Sequence, residues 1–122
     1  MKNILYVEHS KLFQLIVEER LSKYGCNFLK AKSGEEAIEI LNNEAIDYIF
    51  SAKVLEDMDI EDLVERLYEN GFNDIPIILI SSIEEIKEIK DFFKLGITDY
   101  ILKNDIGNEE TLDTFLKDIG IK

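Results

Sequence analysis

The side chains able to do chemistry in this chain of 122 residues stand at the ends of short apolar runs. Glu8 and His9 follow NILYV (Asn3 to Val7), Ser81 and Ser82 follow IPIILI (Ile75 to Ile80), and Lys103 follows TDYIL (Thr98 to Leu102). One further run, AIDYIFS (Ala45 to Ser51), leads through FSAKVL into the acid-rich EDMD, surroundings that suit a carboxylate at the strand's end. The residue there is Ala52, and a methyl group has no lone pair with which to attack an electrophile. Ser51 is a poor substitute, because strand alternation points it to the other face from Phe50 and Ala52, and no adjacent base is evident. His9, the only histidine, lacks the Cys/His cluster that a metal centre needs, and nothing supports a phosphohistidine. It is expected to pair with Glu8, or Glu8 with Lys103, as a structural ion pair; a pH-sensing role stays open because imidazole titrates near neutrality. No metal and no cofactor are expected. Asp59 is expected to cap a helix, Asp57 to be solvated, and Cys26 to be a small buried apolar residue.

The elements that must position these residues alternate strictly. Ser10 begins a helix with Leu12, Phe13, Ile16, Val17, Leu21 and Tyr24 on one face, ended by Gly25; CNFLKA is the second strand. SGEE (Ser33 to Glu36) is a capping box in front of Ala37, Ile38, Ile40 and Leu41. Asp59 caps a third helix with Ile60, Leu63, Val64, Leu67 and Tyr68 inward, closed by Asn70-Gly71. SIEE (Ser82 to Glu85) reads as another capping box before Ile86, Ile89, Phe92 and Phe93, with Gly96 as the stop. Asn108 starts the last helix, with Leu112, Phe115, Leu116 and Ile119 inward. Five strand–helix units in alternation predict an α/β, doubly wound parallel sheet of five strands with right-handed crossovers, forming a single domain over residues 1–122. In such a sheet the functional crevice lies beyond the carboxyl ends of the strands, where the residues above stand.

Composition bounds the partners. The net charge of −12 disfavours nucleic acid and anionic membrane surfaces, both of which call for clustered Lys and Arg. The 46% hydrophobic content is enough for a core. A single cysteine excludes an internal disulfide and points to a reducing compartment. No apolar run approaches the ~20 residues of a membrane span, and the N-terminus is too short in its apolar part for a signal peptide, so a cytoplasmic location is expected.

Taken in order, ILYVEHSKLF, SGEEAIEIL, DYIFSAKVLEDMDIEDLVERL, NDIPIILISS and GITDYILK resemble the receiver domain of two-component response regulators. The resemblance covers nearly the whole chain and implies a flavodoxin-like fold of strand order 2-1-3-4-5. In that family an acidic pair after strand one and an aspartate after strand three bind magnesium, and the aspartate accepts a phosphoryl group. A Ser or Thr after strand four and a Lys after strand five contact the phosphoryl oxygens, and an aromatic residue in strand five reports the state. Matched onto this chain, the phosphoacceptor position is Ala52, the acidic-pocket positions are Glu8 and His9, the hydroxyl is Ser81, the lysine Lys103 and the aromatic switch Tyr100. Ile60 and Asn104 also depart from the family's usual glycine and proline.

The resemblance implies a degenerate receiver: a signalling module, not an enzyme, that works through protein contacts without aspartate phosphorylation. Its partners would be signalling proteins such as a linked output domain or a histidine kinase, or a second copy bound through the fourth helix, fifth strand and fifth helix. That surface sets Lys87, Lys90 and Lys94 opposite Asp99, Asp113 and Asp118. Tyr100 would be a switch or a fixed aromatic on it. The alternative is a phosphorelay receiver, active naturally and disabled by substitution at residue 52. A flavin site on the same fold is disfavoured, since neither GxGxxG nor GxxxxGK[ST] occurs. The chain ends just after its last helix, as a fragment of a larger signalling protein would.

Overall fold

Capping chemistry sets where four of the helices begin. In the computed structural model, which describes residues 1–82 and 85–122, Ser10 Oγ accepts from the Phe13 N–H (3.2 Å) and opens α1 (Lys11–Ser22). Ser33 Oγ accepts from Glu36 N–H at the head of α2 (Gly34–Asn43), and Asp59 Oδ1 from Asp62 N–H at the head of α3 (Ile60–Glu69). Asn108 Oδ1 accepts from Thr111 N–H and starts α6 (Glu109–Asp118). Each satisfies one of the amide donors that a helix start leaves unpaired. The helix α4 (Ile86–Leu95) differs from expectation. Its cap position is Glu85, which makes no side-chain capping bond, and Ser82 lies three residues further back; the middle of SIEE lies outside the described residues.

The strands β1 (Asn3–Val7), β2 (Asn27–Ala31), β3 (Tyr48–Ser51), β4 (Ile77–Ser81) and β5 (Asp99–Leu102) form one all-parallel sheet in the order β2-β1-β3-β4-β5, the flavodoxin-like arrangement. Burial divides across it as the pleat requires. Leu5, Val7, Ile49, Ile77 and Leu79 pack under α2, α3 and α4, while Ile4, Tyr6, Phe50, Ile78, Ile80 and Ile101 pack against α1 and α6. β4 is buried at every residue, whereas β2, at the sheet's edge, is buried only at Ala31. Among the described residues no helix is long and apolar enough to cross a membrane.

Several inward assignments fail at the helix surfaces. Leu12 (67%), Ile86 (69%), Tyr68 and Phe93 are exposed, because a helix ten or twelve residues long buries a stripe narrower than its run of apolar residues. Cys26 is half-buried at the start of the β2 edge strand, and burial still pushes its thiol pKa upward. A short helix, α5 (Lys103–Ile106), follows β5 directly, in a stretch to which the sequence pattern assigned no element. Ile106 anchors it in the core. Ala52 also sits on the other side from Phe50, in the α2–α3–α4 cluster, because the chain leaves the strand after Ser51 and alternation ends there.

Candidate functional site

The carboxyl ends of β1, β3, β4 and β5 enclose a cavity of about 250 Å3 that brings together Glu8, His9, Ala52, Ser81 and Lys103, with Lys53 and Val54 at its margin. The sheet register explains why: Val7 pairs with Ser51, Ser51 with Leu79 and Ser81 with Leu102, so the next residues of four strands converge on one crevice. Tyr100 is elsewhere. It lies half-buried against the α2–α3–α4 side of the core and lines a separate groove of about 370 Å3 with Ile89, Leu102, Thr111 and Phe115.

Glu8 organises the cavity. Its side chain is 2% exposed, which would be costly for an unpaired carboxylate. The chain supplies partners from several directions. Tyr6 OH donates to Oε1 (3.2 Å), Ser10 N–H donates to Oε2 (3.2 Å), His9 Nδ1 stands 3.4 Å from Oε2 and Lys103 Nζ 4.0 Å from Oε1. Burial, and next the negative charge of Glu8, push the Tyr6 phenol far above its ordinary pKa of 10.0, so Tyr6 stays a donor throughout the working range. Gln14 Nε2 donates to the Glu8 carbonyl (2.6 Å) and fixes the backbone as well. Lys103 divides its charge between this carboxylate and the ring of Phe13, whose centroid is 4.4 Å from Nζ. Lys53 points the other way, to Glu88 Oε1 at 2.8 Å.

At the end of β3, Ala52 is buried (4% exposed) and its N–H donates to Val7 O. Ser51 is fully buried, and its hydroxyl donates to the Ala52 carbonyl (2.8 Å). A hydroxyl so engaged, with no base beside it, is not an activated nucleophile.

The magnesium that the resemblance implies does not fit this donor set. Magnesium requires hard oxygen ligands in near-octahedral array. Here one carboxylate, already engaged, faces an imidazole and a methyl, and among the described residues no group of three His, Cys, Asp or Glu side chains could hold a metal ion.

The loop below Ala52 corrects a second expectation. Asp57 is not merely solvated: Oδ1 accepts from Gly34 N–H (2.7 Å) and Oδ2 from Glu35 N–H (3.1 Å), adding to the cap of α2 from the β3–α3 connection. Partial burial raises the pKa of its carboxyl, but these hydrogen bonds more than offset that and hold it below the ordinary 3.8. Glu35 in turn pairs with Arg66 of α3 at 2.5 Å. Sequence reasoning missed this clamp, since nothing local joins residues 23 positions apart. It also passed over Tyr6, which the period of two did signal: Tyr6 and Glu8 share a side of β1.

Comparison with known proteins agrees with this geometry. Residues 4–116 match the model of the response regulator receiver domain. The chain is 28% identical over 102 residues to the Regulator of RpoS of Escherichia coli K12, covering 84% of this chain and 30% of that protein. It is 27% identical over 101 residues to the probable transcriptional regulator ycf27 of Cyanidium caldarium, covering 83% and 40%. It therefore spans less than half the length of these relatives. Among solved structures, a two-component response regulator from Clostridium difficile superposes with a TM-score of 0.84 at 27% identity, covering 98% of this chain and 95% of that one. The chemotaxis response regulator CheY4 of Vibrio cholerae superposes at 0.85 and 22% identity, with 98% of each chain covered, a likeness of fold. A parallel sheet in this strand order, and a family match from the first strand to the last helix, lead to one conclusion: the chain belongs to the response regulator receiver domain family of two-component signalling.

Proposed function

We propose that this receiver, one domain over residues 1–122, signals by protein contact and takes up no phosphate, acting as an interaction module and not as an enzyme. The observation that carries this reading is the methyl of Ala52 at the end of β3, where the family places its phosphoacceptor. Supporting it are the engaged hydroxyl of Ser51 and a Glu8 carboxylate already satisfied within the chain. Glu8, His9, Ser81 and Lys103 would then serve as a structural remnant of the phosphoryl pocket. Incubation with a small phosphodonor and Mg2+ followed by intact-mass measurement tests the reading. The expected result is unchanged mass, and a stoichiometric, base-labile phosphate adduct would overturn it.

A second reading keeps the pocket competent and assigns the loss to residue 52 alone. It draws on the Ser81 and Lys103 side chains that line the same cavity. The variants at residues 9 and 52 described below separate the two readings.

The contact surface we assign is the one between α4, β5 and α6, where the predominantly apolar groove containing Ile89, Tyr100 and Phe115 opens. Its partner would be a second copy or a linked output domain, several of the relatives being transcriptional regulators longer than this chain. Sedimentation with and without beryllofluoride is expected to give the same oligomeric state. A shift to dimer on adding the mimic would mean a working switch remains.

A further inference from the structure

The charge of the molecule is not spread evenly. Between residues 32 and 74 there are 13 acidic and three basic residues, ten of the twelve net negative charges, while residues 1–31 carry an excess of two positive ones. The acidic stretch forms α2, β3 and α3, and α2 lies beside β2, the edge of the sheet. Along that border runs a groove of about 440 Å3. Its floor is Leu29 of β2 and Ile40 of α2, both half-buried. Its rim is Glu36, Glu39 and Asn43, which with Ile40 form one stripe along the helix at the 3.6-residue period, and Glu44, the extended residue that caps the helix's carboxyl end. Among the described residues none of the three rim glutamates makes an ion pair, and Lys30, the nearby cation of β2, is already held by Glu18 at 2.9 Å on the α1 side.

The edge itself is open. β2 pairs only with β1, and Asn27 N–H and Ala31 O both bond toward β1. Alternation then turns the N–H and C=O groups of Phe28 and Lys30 outward. An edge strand beside an apolar floor is a template for an added strand.

We propose that the β2–α2 groove binds an extended, cationic segment of a partner protein, which adds to the β2 edge, places aliphatic side chains over Leu29 and Ile40, and sets Lys or Arg against Glu36, Glu39 and Glu44. The charge of this face selects that occupant over an anionic one such as nucleic acid or an acidic membrane. The site lies apart from the Ala52 cavity and does not depend on whether that cavity takes phosphate.

The probe is a capped peptide of alternating lysine and valine, titrated into the full chain, beside a lysine–serine peptide of equal length and charge. The expected result is that the lysine–valine peptide binds about ten-fold more tightly and slows amide hydrogen exchange at Phe28 and Lys30. Glu39→Gln with Glu44→Gln should weaken it about five-fold, and Ile40→Ser should reduce its advantage over the serine peptide. Glu61→Gln with Glu65→Gln on α3, equal in charge removed, should leave the affinity within about two-fold. Should Ile40→Ser perturb folding, the surface pair at residues 39 and 44 still decides the matter. Equal binding of both peptides, or exchange protection on α3 or around Tyr100 with none at Phe28 and Lys30, overturns the proposal.

Discussion

Glu8 and Tyr6 form a unit that neither residue would sustain alone. Replacing Tyr6 with Phe keeps the ring and removes the phenolic donor, leaving Oε1 with only a distant Lys103. A hydrogen bond to a buried carboxylate contributes about 1–3 kcal/mol, so urea unfolding of Tyr6→Phe should show a loss of that order, while Tyr24→Phe, whose hydroxyl meets Asp113 at a longer 3.4 Å, should change little. The same carboxylate decides what restoring residue 52 would do. Ala52→Asp alone places a second carboxylate in a buried corner beside Glu8, with an imidazole where a third oxygen donor is needed. Mg2+ titration and phosphate incorporation should therefore be at most a trace for Ala52→Asp and for His9→Asp, and measurable for the double variant. Coupling should be strong because both groups act on one ion. If Ala52→Asp matches the double variant, the second reading is right and His9 is innocuous. The positions of the pocket were legible in the sequence because each ends or follows a strand; the setting of Glu8 was partly hidden, since Ser10 serves it through its backbone and Phe13 holds Lys103, one of its partners, through its ring face.

At the level of elements, the caps at Ser10, Ser33, Asp59 and Asn108 were readable because a cap is a local bargain between a side chain and an amide three residues on. The Asp57 clamp, the α5 helix and the exposed turns of α3 and α4 were not, because tertiary contacts decide them. Asp57→Ala should cost about 1 kcal/mol, as a lost helix cap does, and should loosen the β3–α3 loop by hydrogen exchange. Because hydrogen bonding in the fold lowers the Asp57 pKa, its contribution is complete above the ordinary 3.8 and is lost as pH falls through the lower folded value. Asp57→Asn should accordingly flatten the acid limb of the stability profile below about pH 4. Gly96 ends α4 at φ +119°, and a Cβ there would fall 1.9 Å from the Tyr68 hydroxyl. Tyr68 is partly exposed and its tip can swing aside, so the lasting cost of Gly96→Ala is backbone strain, about 1–2 kcal/mol. Most of that loss should persist in a Tyr68→Ala background; disappearance there would assign it to the clash instead.

For the whole molecule, strict alternation of strands and helices made the sheet order legible, because few topologies satisfy right-handed crossovers. Net charge was legible too, but its concentration on one side emerges only when α2 and α3 are folded side by side. On α3, Glu61, Glu65 and Glu69 follow one another at four-residue spacing, where like charges repel. Glu65→Lys turns two repulsions into two attractions and should stabilise the fold by about 0.5–1 kcal/mol. Added salt should raise the urea midpoint of the parent protein, and raise it less in this variant, since screening relieves the same repulsion. No salt response in either would mean that the acidic face costs the fold nothing. The methyl at the end of β3 has a last consequence. A phosphorylated receiver carries a covalent memory whose lifetime is set by hydrolysis, and a cell reads the fraction marked. If residue 52 accepts no phosphate, no copy of this protein carries that mark, and what it delivers to a partner is set by how many copies there are. Its clock is then synthesis and degradation.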